Sequence, residues 1–165
     1  MMTISPINAF SDNYIWLIER GQQAFVVDPG EPDPVLTRLA ERGLELTGIL
    51  ITHHHFDHVG GLTALCEVFQ PVVYGPHNPA IAGITHRVAA GDTVSVLDTR
   101  FSVLAVPGHT LDHIAYAHQG EQPAVFCGDT LFAGGCGRLF EGDPAMMLKS
   151  LDSLAALLPS TQVYC

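Results

Sequence analysis

The sequence predicts an α+β chain, an αββα sandwich of two mostly antiparallel or mixed sheets flanked by helices. Short runs of β-branched and aromatic residues recur along the chain. Helical spacing of apolar residues is confined to a few segments, and turn residues separate the central runs at short intervals. With 165 residues, 47% of them apolar, the chain has material for one compact domain and its core. It contains no internal repeat and no low-complexity linker.

Taken in order, Asn13–Arg20 (NYIWLIER) and Ala24–Asp28 (AFVVD) read as strands joined at Gly21, and Pro29-Gly30 ends the second. Residues Asp33–Arg42 set Val35, Leu36 and Leu39 at helical spacing and stop at Gly43. Leu46–Thr52 (LTGILIT) is a buried strand that delivers the chain to His53. Val59–Phe69 reads as helix and Val72–Tyr74 as a short strand. Thr93–Leu97, Phe101–Val106, His113–His118 and Ala124–Cys127 follow as a series suited to antiparallel pairing. Pro144–Leu158 is an amphipathic helix with Asp143 as its N-cap and Pro144 at the first helical position. Thr161–Tyr164 begins a last strand.

Several functions are disfavoured by composition. A formal charge of −10 and a pI near 5.1 provide no basic face for nucleic acid or an anionic membrane. The N-terminus lacks the charged and apolar regions of a secretory signal, and no apolar run approaches the roughly 18 residues of a membrane span. Cys66, Cys127, Cys136 and Cys165 form no CxxC pair, which suits reduced thiols. The expectation is a cytoplasmic monomer with a small-molecule partner.

Chemistry concentrates in THHHFDHVGG, residues 52–61, between a buried strand and a Gly-Gly helix start. If the strand end stays extended, His53, His55 and Asp57 share one side while His54 and Phe56 take the other. His54 then reads as structural or exposed, and His58 falls where the chain turns helical. Imidazoles and carboxylates without thiolate pairs suit a catalytic Zn, Fe or Mn site better than a closed structural zinc site. Two later strand ends, VPGHT and FCGDT, deliver His109 and Asp129. A carboxylate can bridge two cations where a single imidazole nitrogen cannot. Asp129 is therefore the bridging candidate, with His53, His55 and His109 on one ion and Asp57 and His58 on the other.

These residues resemble the metallo-β-lactamase superfamily and, within it, the glyoxalase II (hydroxyacylglutathione hydrolase) family. The HxHxDH signature reads His53, His55, Asp57 and His58. DNYIW (Asp12–Trp16), VDPG (Val27–Gly30), PGHT (Pro107–Thr110) and GDTLFAGGCGRLFEG (Gly128–Gly142) are narrower matches, and the likeness runs from Thr3 to Cys165. The sequence departs from the family pattern at Asp112, where the family usually has glycine. The resemblance implies that residues 1–165 are the catalytic domain. It also implies that a further His-Glu-Tyr stretch, supplying the second site's last histidine, and a C-terminal helical substrate-binding domain lie outside these 165 residues.

The resemblance further implies hydrolysis of S-D-lactoylglutathione, or a related 2-hydroxyacyl-glutathione, to a 2-hydroxy acid and glutathione in methylglyoxal detoxification. Two divalent ions, zinc first and Fe or Mn as alternatives, would share one water beside Asp57 and Asp129 and ionise it near neutral pH. Arg138 falls where the family places a basic contact to a glutathione carboxylate, with Leu139 and Phe140 beside it. Phe140 stands where some relatives carry tyrosine. Asp28 and His113 are expected to support the ligands from behind, while His77, His86 and His118 read as solvent-exposed and Cys136 as a packing residue. Two alternatives use the same residues. One is a mono-iron persulfide dioxygenase needing only His53, His109 and Asp129, and the other is a metal-binding remnant without catalysis.

Overall fold

The computed structural model describes residues 2–165. Strands β1 (Thr3–Ala9), β2 (Asn13–Arg20), β3 (Gln23–Val27), β4 (Glu45–Leu50), β5 (Val72–Gly75) and β6 (His86–Arg87) form one sheet in sequential order. Pairing is antiparallel from β1 to β3 and parallel from β3 to β6. β7 (Thr93–Val96), β8 (Thr99–Ala105), β9 (Ile114–His118) and β10 (Ala124–Phe126) lie in a second sheet, antiparallel throughout. β11 (Leu131–Phe132) and β12 (Gly135–Cys136) make a small hairpin, and β13 (Gln162–Tyr164) joins the second sheet parallel to β10. The helices are α1 (Pro32–Arg42), α2 (Phe56–Val59), α3 (Leu62–Phe69) and α4 (Pro144–Ala155).

Side-chain burial explains the layering. Ile18, Phe25, Val27 and Leu50 face Phe101, Val103, Tyr116 and Phe126 between the sheets. On the far side of the first sheet, Leu17, Val26 and Ile49 pack against Val35 and Leu39 of α1 and Leu62 and Leu65 of α3. Leu154 of α4 closes over Ala115, Ala117 and Val125 of the second sheet. Both faces of β3 and β4 are thus covered, which is why AFVV and ILI are continuous apolar runs without alternation. The result is the four-layer αββα sandwich.

Local departures from the sequence expectation have physical causes. β1 is absent from that reading because Pro6 interrupts its β-branched run. The structure places Pro6, exposed, on the edge strand of the sheet, where a missing N–H is tolerated. The helix expected over Val59–Phe69 is broken at Gly60-Gly61, whose Gly61 N–H donates 2.8 Å to the Pro29 carbonyl. The preceding turn, α2, starts at Phe56, so Asp57 stands in a helical turn and not on an extended strand end. β4 ends at Leu50 because the Thr52 N–H turns to the Asp28 carboxylate at 2.8 Å. α4 stops at Ala155, short of Leu158, while Asp143 caps its start by accepting from Met146 N–H at 2.8 Å.

The two sheets are joined below the strand ends. Tyr116 donates its hydroxyl to the Ile51 carbonyl at 2.7 Å, and Ile114 N–H donates to the Thr52 carbonyl at 2.9 Å. Residues 51–55 therefore leave β4 already anchored to β9. That anchor carries His53 toward the loops after β8 and β10.

Candidate metal centre

Asp28 organises the floor of the site. Its φ of 53° is left-handed, a conformation strained for a side-chain-bearing residue but tolerated by aspartate. The carboxylate collects three donors: Thr52 N–H at 2.8 Å, the Thr52 hydroxyl at 2.7 Å and His58 Nδ1 at 3.0 Å. Because the Thr52 hydroxyl donates to Asp28, it accepts from His53 Nδ1, 2.9 Å away. On the opposite wall, His109 Nδ1 donates to the Arg138 carbonyl at 2.7 Å. These bonds fix the tautomers of His53, His58 and His109, and all three present a bare Nε2 inward.

The six side chains expected to meet do meet. Donor atoms of His53, His55 and His109 lie within 4.8 Å of one another, as do those of Asp57, His58 and Asp129. Asp129 joins the groups, with Oδ1 3.2 Å from His58 Nε2 and Oδ2 3.3 Å from His109 Nε2. His53 Nε2 and His58 Nε2 are buried and lack a hydrogen-bond partner among the described residues. His109 Nε2 and His55 Nδ1 face each other at 3.0 Å, too close for two lone pairs without a proton or cation between them. Buried, inward-facing and unpartnered nitrogens beside carboxylates are the donor set a divalent ion requires, so these residues fit a metal centre.

Electrostatics point the same way. Burial pushes His53 well below the usual histidine range, and the His113, His58 and His109 rings add to this. Burial also lowers His58 and His109, but facing carboxylates outweigh it. Asp28, Asp129 and Asp57 raise His58 well above its ordinary value, and Asp129 with the Arg138 carbonyl raises His109. Asp57 is lowered to about 2, chiefly by His58, with burial opposing and Asn13 assisting. Burial raises Asp129, yet the His109 and His58 contacts overcome it and leave the carboxylate far below its normal range. The carboxylates demand positive charge at the imidazole nitrogens, which a proton or a cation can meet.

Supporting residues divide into those foreseen and those missed. His113 is buried, stacks on His53 with ring centroids 4.5 Å apart, and accepts at Nε2 from Asp129 N–H at 3.1 Å. Burial drives its pKa down to about 3, which keeps that acceptor neutral. Arg138 and Phe140 are exposed at the rim with Leu139 half-buried between them, and the guanidinium lies 5.8 Å from the Phe140 ring centre. Thr52 and Asn13 lie outside the sequence expectation; Asn13 donates to Asp57 Oδ2 at 2.9 Å. The Asp-Pro-Gly turn meeting a threonine before HxHxDH was the available signal for Thr52, whereas nothing local marks Asn13, 44 residues upstream of Asp57. His77 and His86 are exposed, but His118 is half-buried, bonded to the Arg100 carbonyl and tilted on Phe101. Cys136 is exposed in the β11–β12 hairpin, so it does not pack.

Access comes from two sides. A cleft of about 450 Å³ opens on Asp57, His58 and Asp129 past Asn13, Tyr14 and Phe132, and another of about 380 Å³ reaches His55 and His109 beside Phe56 and Phe140. Below them Gly128 has φ 49°, and an added Cβ would lie 2.5 Å from Thr52 Oγ1 and 2.8 Å from His113 Cε1. Gly128→Ala is expected to lower stability by about 2 kcal/mol through overpacking and backbone strain. Denaturant unfolding of the metal-free chain checks this, and an unchanged midpoint would mean the junction has room.

Known proteins match the whole chain. It is 56% identical over 165 residues to a hydroxyacylglutathione hydrolase of Dechloromonas aromatica, all of this chain matching but only 61% of that relative. The chain thus spans about three fifths of that relative's length. Among solved structures, ETHE1 from Myxococcus xanthus superposes with a TM-score of 0.86 at 36% identity, covering 98% of this chain and 74% of that one. TTHA1623, solved in a di-iron-bound form, gives 0.81 at 32% identity, covering 97% and 90%. No helix among the described residues is long and apolar enough to cross a membrane. A model of the metallo-β-lactamase superfamily matches residues 10–165, a span holding all six converging side chains, and the chain belongs to that superfamily.

Proposed function

We propose that residues 1–165 are the metal-binding catalytic domain of a cytoplasmic, monomeric thiolester hydrolase. Its substrate would be S-D-lactoylglutathione or a related 2-hydroxyacyl-glutathione, and its products a 2-hydroxy acid and glutathione, in methylglyoxal detoxification. The observation that carries this reading is the paired donor set around Asp129, in a chain 56% identical to a hydroxyacylglutathione hydrolase. On this reading His53, His55, His109 and Asp129 hold one divalent ion, and Asp57, His58 and Asp129 hold a second. Zinc is the first choice, although such donors also accept iron or manganese. Ions bound there supply Lewis-acid activation of a water near neutral pH and neutralise charge developing on the thioester carbonyl oxygen.

The remaining work falls to the chain. Asp57 and Asp129 stay ionised at neutral pH and can accept hydrogen bonds from a water lying between the two groups. Asn13 occupies one oxygen of Asp57 and so fixes the direction of the other. Asp28, Thr52 and the Arg138 carbonyl hold three imidazoles in place beforehand, so little reorganisation accompanies the reaction. A thiolate leaving group with a pKa of about 8.5 departs at neutral pH without a strong general acid. On this reading Arg138, exposed at the rim, pairs with a substrate carboxylate, with Leu139 and Phe140 as an apolar wall beside it.

The test compares zinc-loaded chain with a version extended through the C-terminal region of a full-length relative, following loss of the S-D-lactoylglutathione thioester. Hydrolysis by both, with a higher kcat/KM for the longer one, is expected. Negligible rates in both, at full metal loading, would leave a metal-binding remnant. Iron near one per chain with oxygen consumed on glutathione persulfide would select the mono-iron dioxygenase, although that chemistry gives the Asp57–His58 pair no role.

A further inference from the structure

His54, the one histidine of the run that turns away from Asp129, is held in a third cluster. Its Nδ1 lies 2.9 Å from Asp112 Oδ1 and its Nε2 3.2 Å from Glu141 Oε1. Asp112 Oδ1 also accepts from the Thr110 hydroxyl at 2.7 Å, and its Oδ2 accepts from Asn78 Nδ2 at 2.8 Å. Glu141 Oε2 accepts from Leu111 N–H at 2.7 Å. Four loops meet here: β4–α2 through His54, β5–β6 through Asn78, β8–β9 through Thr110 to Asp112, and β12–α4 through Glu141.

Donor atoms of His54, Asp112 and Glu141 also lie within 4.8 Å of one another, so the cluster could be read as another cation site. Its hydrogen bonding argues otherwise. His54 Nδ1 and both Asp112 oxygens are already hydrogen-bonded within the protein, and His54 Nε2 faces Glu141. Opposite nitrogens of one flat ring face two different carboxylates, and a single imidazole cannot direct both nitrogens at one ion. The Asp112 side chain is only 11% exposed, which leaves little room for a hydrated cation.

We infer that Asp112, assisted by Glu141, is a positioning residue of the metal centre. It grips His54, whose backbone neighbours on either side are His53 and His55. Through Thr110 and Leu111 the same two carboxylates fix the loop that presents His109. One cluster therefore sets the mutual placement of all three imidazoles of the first group, although none of its side chains belongs to either donor group around Asp129. The position that departs from the family pattern, Asp112, is thereby given a task. The inference rests on His53, His55 and His109 being ligands.

Zinc affinity measured by chelator competition, together with the visible spectrum of the cobalt-substituted chain, tests it. Asp112→Ala is expected to weaken zinc at the three-histidine group by about 10-fold, the lower end of what losing a direct partner of a ligand costs, and to alter the cobalt spectrum. Asp112→Asn, which keeps an oxygen for His54 and Thr110, should restore most of the affinity. If Asp112→Ala fails to fold, His54→Gln carries the test, with the same loss expected because glutamine cannot span both carboxylates. Wild-type affinity and spectrum in the folded variants, with only a lower apo Tm, would overturn the positioning role. Absence of zinc binding by the wild-type chain would instead overturn the ligand reading and the inference with it.

Discussion

Asp129→Ala is expected to retain less zinc than the wild type after the same dialysis, below one ion per chain, and to lower S-D-lactoylglutathione hydrolysis at least about 10³-fold. Asp129 is the side chain whose two oxygens face both donor groups, 3.2 Å from His58 Nε2 and 3.3 Å from His109 Nε2. Its removal takes a ligand from each ion and the negative charge that favours cations at both. The backbone contact from Asp129 N–H to His113 survives the substitution, so the fold should persist. Elemental analysis and thioester loss are the readouts. Retention of the wild-type zinc content would mean that the carboxylate does not join the groups.

Asp28→Ala is expected to destabilise the metal-free chain by about 3–5 kcal/mol and to weaken zinc beside His58 about 10–100-fold. The carboxylate is buried and accepts from Thr52 N–H, the Thr52 hydroxyl and His58 Nδ1, so alanine strands three buried donors. Freed from Asp28, the Thr52 hydroxyl no longer has a reason to accept from His53, and the tautomers of His53 and His58 both become undefined. Asp28→Asn keeps the shape but loses the charge, and should lie between alanine and wild type. Unfolding midpoints and chelator competition check both variants. A stable Asp28→Ala chain with unchanged zinc affinity would show that the floor of the site is organised elsewhere.

The layers and donor groups were legible because their signals are local. Buried strands such as Ala24–Val27 advertise themselves as apolar runs, and α4 by its Asp-Pro start and helical spacing. His53, His55, His109 and Asp129 each follow a strand end, where loops present side chains to one edge of a sandwich. What escaped depends on long-range partners. β1 was hidden by Pro6, acceptable only because that strand is an edge. The alternation assumed through Asp57 failed because Gly61 N–H bonds back to Pro29, bringing a helical turn forward to Phe56. Asn13 on Asp57, Thr52 between Asp28 and His53, and the loop-bridging role of Asp112 are pairings across the fold, which spacing along the chain does not encode.

Anomalous diffraction from crystals of the chain grown with saturating zinc addresses the central proposition directly. Two peaks should appear, one among His53, His55 and His109 and one beside Asp57 and His58, with an oxygen of Asp129 on each. A cavity that stays empty at those positions, or zinc bound only at His54, Asp112 and Glu141, would contradict the account.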